Sequence, residues 1–154
     1  MTAEQPTIGT DQLKTELDDL IYKFNGEATG ITDGLSLQLE FREVTELLAG
    51  LSGWTWGGTA YIDLLWVRAD LRGRGMGTRL LDEAEAEAVR RECTHVVLST
   101  HSFQAPALYR DRGYTEFGRV QDYPRGHAHL HFVKQLAPKT RTRGHPIPAE
   151  IIWD

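Results

Sequence analysis

Leu13, Leu17, Leu20, Ile21 and Phe24 recur at the spacing of one helical face, which predicts a helix over residues 11–25 with Thr10 or Asp11 as its N-cap. The period then changes. Leu35, Leu37, Leu39 and Phe41 alternate with Ser36, Gln38, Glu40 and Arg42, the two-residue repeat of a strand with one buried face. A second strand falls within Glu46–Trp56, and the pair Gly57-Gly58 turns the chain into a third over Thr59–Val67. The apolar density of that third strand, with Ile62, Leu64, Leu65, Trp66 and Val67, predicts a central strand covered on both faces. After a glycine-rich stretch, Leu80, Leu81, Ala84, Ala88 and Val89 mark a helix face, with Asp82, Glu83, Glu85 and Glu87 turned to water. The β-branched run His95–Thr100 predicts a strand, Gln104–Arg112 a short helix closed by Gly113, and Tyr114–Val120 another strand. Tyr123–Gly126 has turn chemistry and leads into a last strand near His129–Lys134, paired with its predecessor as a hairpin.

This pattern divides the chain into a disordered N-terminus (1–10), a single domain (11–136) and a C-terminal extension (137–154). The extension carries Pro138, Pro146 and Pro148 and has no helical period. Its apolar end, Ile151, Ile152 and Trp153, is expected to dock on this chain or on a partner. There is no internal repeat.

Composition narrows the class. With 154 residues, 40% hydrophobic and 25% charged, the chain reads as one globular domain. Cys93 is the sole cysteine, which excludes an internal disulfide framework and a Cys-rich zinc site, so no metal is expected and Cys93 reads as a small buried apolar residue. No apolar run reaches the length of a membrane span, and residues 1–10 lack the features of a signal peptide, so the expectation is a cytoplasmic protein with no membrane partner. A net charge of −5 argues against a nucleic-acid partner. The charge is uneven, −8 over residues 1–67 and +3 over 68–154, so one half suits cations and the other phosphates.

The loop Arg72-Gly73-Arg74-Gly75-Met76-Gly77-Thr78 stands where a strand ends and a helix begins. Unpaired N–H groups and the positive end of the helix dipole make such a place an anion site, and Arg72 and Arg74 can add charge-assisted hydrogen bonds to phosphate oxygens. It is neither a Walker loop nor the dinucleotide fingerprint, because no Gly-Lys-Ser/Thr follows and Thr78 stands at the last glycine position.

Arg72-x-x-Gly75-x-Gly77 resembles the acyl-CoA loop of the GNAT N-acetyltransferase superfamily. Leu64-Leu65-Trp66-Val67 before it looks like the family strand that pairs with pantetheine, and Ala107-Leu108-Tyr109 followed by Gly113-Tyr114 looks like its second signature. The resemblance runs from about Leu35 to Leu136. The segments Ser102–Ala105 and Asp122–His127 are similar to one little-characterised bacterial branch. The resemblance implies an α/β (α+β) fold with a mixed, mainly antiparallel sheet and helices on both faces. Acetyl-CoA is then the co-substrate, in a cleft between the Thr59–Val67 and His95–Thr100 strands. It further implies that Leu65, Trp66 and Val67 line the cofactor, with backbone groups of Leu65 and Val67 bonding it and the Leu65 N–H near the thioester carbonyl. Gly73 to Thr78 would wrap the pyrophosphate, and Tyr109 would be the general acid that protonates departing CoA thiolate. Ser102 stands where many members have Asn, so Ser102 or Gln104 takes over that contact.

Attack on a thioester needs a neutral amine, yet an alkylamine of pKa about 10.4 is only about 0.04% deprotonated at pH 7. Asp63 is the first candidate for the proton acceptor, because without a bulge it shares side-chain parity with Leu65 and Val67, and burial in an apolar strand would suit a base. A water chain, His101 or His127 are the alternatives, whereas His129 and His131 read as polar-face residues. Trp54 and Trp56, with His127, are the candidate acceptor-binding residues, and with the acidic first half they favour a cationic or aromatic amine. For Trp66 core packing is the plainer reading. The function implied is direct transfer of acetyl to a primary amine of a small molecule in a ternary complex. A protein or peptide N-acetyltransferase and a non-catalytic acyl-CoA sensor stand as alternatives, and a homodimer stays open.

Overall fold

A computed structural model describes residues 5–137. The first four residues and the chain from Pro138 onward, including the Ile151, Ile152 and Trp153 end, lie outside the described residues. The order of elements is α1 (Gln12–Thr29), β1 (Leu35–Glu43), β2 (Glu46–Trp56), β3 (Thr59–Val67), α2 (Met76–Arg90), β4 (His95–His101), α3 (Pro106–Asp111), β5 (Thr115–Gln121) and β6 (Ala128–Gln135). The six strands form one sheet in the order β1-β2-β3-β4-β6-β5. Among the described residues only β3 and β4 are parallel, and α2 is the crossover that this pairing requires.

Alternation along the strands puts Leu37, Ala49, Leu51, Ala60, Ile62, Val96, Leu98, Leu130 and Phe132 on one face, all buried. The apolar stripe of α2 (Leu80, Leu81, Ala84 and Ala88, all buried) covers it. α3 lies on the same side: a Cβ on Gly77 of α2 would lie 3.6 Å from Leu108, and Asp82 of α2 pairs with Arg112 just after α3. Glu85 is not turned to water as its helical position suggests. It accepts a hydrogen bond from the Tyr114 hydroxyl at 3.0 Å and pairs with Lys134 at 2.8 Å, tying α2 to the β5 and β6 side of the sheet. Cys93 is buried, as its composition class predicts.

Two expectations are corrected. β3 is central but covered on one face only in its second half, where Leu64 and Trp66 are 64% and 46% exposed, because α2 and α3 both pack on the opposite face. Trp66 is therefore not a core residue. The stripe of α1 is present but not buried: Leu13, Leu17, Leu20, Ile21 and Phe24 are all exposed, and Gly26 is the helix's buried residue. The helix runs to Thr29 rather than residue 25, ending at Gly30, whose φ of 72° supplies the left-handed stop. Ile31, which follows, comes to lie with Trp54, Tyr61 and Val97 on the open face of the sheet.

A β-bulge shapes the middle of the sheet. Ser52 pairs with Leu64 and Gly53 with Ile62, so Asp63 is an extra residue without a partner on β2. The extra residue resets the alternation, and Ile62, Leu65 and Val67 all turn toward the core. Gly53 makes this possible, since a Cβ there would overlap the Tyr61 carbonyl. At Gly50, in contrast, a Cβ would meet its nearest atom at an ordinary 3.5 Å. We expect Gly53→Ala to lower unfolding stability by about 1–3 kcal/mol. Gly50→Ala should stay within about 0.5 kcal/mol of the parent. Urea denaturation of the two variants checks this.

Candidate active site

β3 and β4 pair over only four residues, from Thr59↔His95 to Ile62↔Leu98. Beyond that point each strand stays with its outer neighbour: β3 with β2 as far as Val67↔Ala49, and β4 with β6 as far as His101↔His129. A gap therefore opens between residues 63–67 and residues 99–101, and the fork lies at the bulge. The phase of the β2–β3 ladder decides which backbone groups face the gap. Arg68 N–H donates to the Leu48 carbonyl at 2.9 Å, so by antiparallel alternation Trp66 and Leu64 bond to β2 while Leu65 and Val67 aim their N–H and C=O groups the other way. The Val67 carbonyl accordingly accepts from Arg72 Nε at 3.0 Å. Trp66, expected to line the cofactor with its neighbours, turns its backbone to β2 and its indole onto the open face.

The glycine loop closes one end of the gap. Gly73 and Gly75 have φ of 74° and 83°, a backbone conformation open to glycine and costly for other residues, and Gly75 is the N-cap of α2. No side chain caps this helix, and its first turn holds no acidic residue. The first amide bonded back into the loop is Arg79 N–H, to the Gly75 carbonyl at 3.0 Å, which leaves the N–H groups of Met76, Gly77 and Thr78 at the helix mouth. Arg74 is exposed beside them and Arg79 lies over the Phe41 ring at 4.8 Å. Uncapped amides, a helix dipole and arginines fit a pyrophosphate.

Tyr109 sits under the sheet on the helix face, its ring 6.0 Å from Phe132 and 5.8 Å from Tyr114. Burial pushes its phenol up to about 12, so it holds its proton through the neutral range. Its hydroxyl makes no hydrogen bond among the described residues, whereas the equally buried Tyr114 gives its proton to Glu85. The hydroxyl is not among the buried polar atoms left without a partner, so the ring is buried while its oxygen reaches solvent.

The other expected site residues divide. The Ser102 hydroxyl accepts from Ala128 N–H at 3.0 Å, and Gln104 accepts from Thr100 and from His101 N–H, so both also hold the turn that ends β4. Trp54 and Trp56 share the open face: Trp54 stacks on Tyr61 at 4.5 Å, Trp56 donates to the Ile31 carbonyl, and with Thr59 and Val97 they line a pocket of about 370 Å³. That pocket lies at the closed end of the fork, four residues or roughly 13 Å along β3 from Leu65. His127 is at the other end, edge-on to Phe103 at 4.9 Å. Asp63 does not meet its condition: the bulge falls on it, and its side chain is exposed rather than enclosed in an apolar strand.

Sequence reasoning undervalued a group of rings on the open face. His101 stacks on His129 at 4.4 Å and on Phe103 at 5.4 Å, Tyr123 meets both His101 and His129 edge-on, and His131 stands 4.7 Å from His129. Burial, followed by His101 and His131, holds the His129 imidazole below its ordinary value. The signal available was parity, since 129 and 131 share a face, but the β4–β6 register that adds His101 to it could not be read locally. Among the described residues no cluster of His, Cys, Asp and Glu could hold a metal ion, and no helix is long and apolar enough to cross a membrane.

Residues 11–114 match the Acetyltransferase (GNAT) family. The chain is 43% identical over 96 residues to the blasticidin-S acetyltransferase of Streptomyces morookaense, covering 59% of this chain and 68% of that protein. It is 31% identical over 103 residues to an acetyltransferase of Agrobacterium fabrum, covering 66% and 75%. A crystal structure of an acetyltransferase from Bacillus cereus superposes with a TM-score of 0.75 at 28% identity, over 88% of this chain and all of that one. For Gly75→Ala, a side chain at φ 83° costs about 1–2 kcal/mol at the loop. We expect that cost to appear as a matching loss of unfolding stability, to be read by urea denaturation.

Proposed function

Because the chain belongs to the GNAT acetyltransferase family, and is thus an acetyl-transferring enzyme of a family that uses acetyl-CoA, we propose that it moves acetyl directly from acetyl-CoA to a primary amine of a small molecule. The observation that carries this reading is the fork itself, which leaves the backbone of Leu65 and Val67 without a strand partner beside the uncapped start of α2. Pantetheine completes the missing edge, as an added strand would, with its amides in place of a neighbouring ladder. The pyrophosphate lies on the N–H groups of Met76, Gly77 and Thr78, with Arg74 at hand. The relative named for blasticidin-S supports a small-molecule acceptor over a polypeptide.

The amine attacks the thioester carbonyl in a complex holding both substrates. The Leu65 N–H stabilises the developing oxyanion, and the cleft supplies position. Tyr109 donates its phenolic proton to sulfur as the C–S bond breaks. Its high phenol pKa keeps that proton available, and its unpartnered hydroxyl leaves it free to give.

A thiol-release assay with acetyl-CoA against amines, aminonucleosides, polyamines and short peptides tests the reading. Release that depends on a small amine supports it, and tight acetyl-CoA binding without release from any acceptor overturns it. Tyr109→Phe removes a hydroxyl with no partner to orphan, so stability should hold. We expect kcat to fall by about 10²–10⁴ with acetyl-CoA affinity retained. Unchanged turnover would remove the acid role.

A further inference from the structure

Resting on the acetyl-transfer reading, we propose that His101 is the group that takes the proton from the incoming amine. The geometry has three parts. First, the His101 ring is anchored through one nitrogen alone: Nδ1 lies 3.0 Å from the Tyr123 carbonyl, which can only accept, so Nδ1 carries a hydrogen and Nε2 is the nitrogen that holds the lone pair when the ring is neutral. His95, the other histidine of this face of β4, has both nitrogens engaged, with Thr59 and Thr94, and cannot do the same. Second, the ring is held in its plane between His129 at 4.4 Å and Phe103 at 5.4 Å, with Tyr123 edge-on at 5.3 Å.

Third, its place is right. Carrying the Ile62↔Leu98 offset onward sets Leu65 within one residue of the level of His101 across the gap, the extra residue of the bulge included. Leu98 and Thr100 are buried under the helices, so His101 points to the open face, while Tyr109 lies on the helix face. Acid and base thus flank the gap from opposite sides, as a transfer needs when the thiol departs one way and the amine arrives the other.

The groups around His101 suit the role. From β6 it faces His129, with His131 behind. From the β5–β6 hairpin it faces Tyr123, with His127 beyond Phe103. The neighbouring Asp122 carboxylate is engaged by Gly126 N–H. His129 is biased to its neutral form by burial, so it stacks without adding a fixed charge. The protons balance as follows. The ammonium gives one to His101 Nε2, which passes it to water. The neutral nitrogen bonds to the carbonyl carbon. As the C–S bond breaks, the nitrogen sheds its second proton to water, while Tyr109 gives its proton to the departing thiolate and regains one from water, so one proton in all is released to solvent.

The test compares His101→Asn with the parent enzyme on acceptors of graded basicity, from alkylamines to aromatic amines already neutral at pH 7. We expect kcat/KM for alkylamines to fall by about 10²–10⁴ and its remaining pH dependence to follow the alkylamine's own deprotonation, while aromatic amines lose little and acetyl-CoA affinity stays the same. An equal loss across all acceptors, or the same alkylamine-selective loss produced by Asp63→Asn instead, overturns the assignment. Long-range nitrogen–proton spectra of the histidine rings in the parent protein give a second reading that needs no turnover. His101 protonated at Nδ1 with a bare Nε2 supports the proposal, and the opposite tautomer sinks it. A parent enzyme releasing no thiol with any amine would instead overturn the transferase reading, a result the spectra cannot produce.

Discussion

The site depends on a single missing stretch of ladder. β3 and β4 must diverge after Ile62 and Leu98, and the divergence is held by two full-length pairings that pull outward and by the bulge at Asp63 that adds twist between them. Gly53 is the residue that lets β2 follow this bend, because its lack of a side chain leaves room for the Tyr61 carbonyl. A strand edge left open inside a sheet is a standing cost, since backbone N–H and C=O groups buried without partners destabilise a fold. Here the cost is limited by one uncovered face, from which water or a ligand reaches Leu65 and Val67.

That same asymmetry sorts the chemistry. The helix face is buried, with α2 and α3 packed on Phe132, Leu98 and Ile62, and that burial raises the Tyr109 phenol so that it keeps its proton through the neutral range. The open face is lined with half-exposed rings and is in contact with water. The fork is a slot between two environments, one enclosed by helices and one open to water.

Much of the scaffold was legible locally. The helix after the glycine loop, the short helix around Tyr109 and all six strands follow from period and turn residues, because each signal lies within a few positions of the element it marks. Arg72, Gly75 and Gly77 likewise mark the loop that leads into the uncapped start of α2. What failed were readings that need two elements at once. The apolar density of Leu64 to Val67 spoke for a strand covered on both faces, but density cannot say that α2 and α3 share one side. Asp63 looked suitable under strict alternation, and the bulge that breaks alternation is specified by Gly53, ten residues away on another strand. The His101, His129 and His131 group forms only through the antiparallel register of β4 and β6.

The contrast between two tyrosines five residues apart shows how the surrounding packing assigns roles. Tyr109 and Tyr114 are both buried and their rings are 5.8 Å apart, and burial raises both phenols. Tyr114 spends its proton on Glu85, which also pairs with Lys134, while Lys134 lies over the Tyr114 ring at 5.5 Å. This three-way tie joins α2, the segment after α3, and β6. Charge-assisted hydrogen bonding in a half-buried setting makes the tie stiff. Tyr109, one turn earlier, inherits that stiffness through the Tyr114 N–H bond to its carbonyl at 3.0 Å and through ring contact, yet keeps its own hydroxyl free. A hydroxyl that is fixed in space by a neighbour's bonds, rather than by its own, is both held in place and left without a competing hydrogen bond.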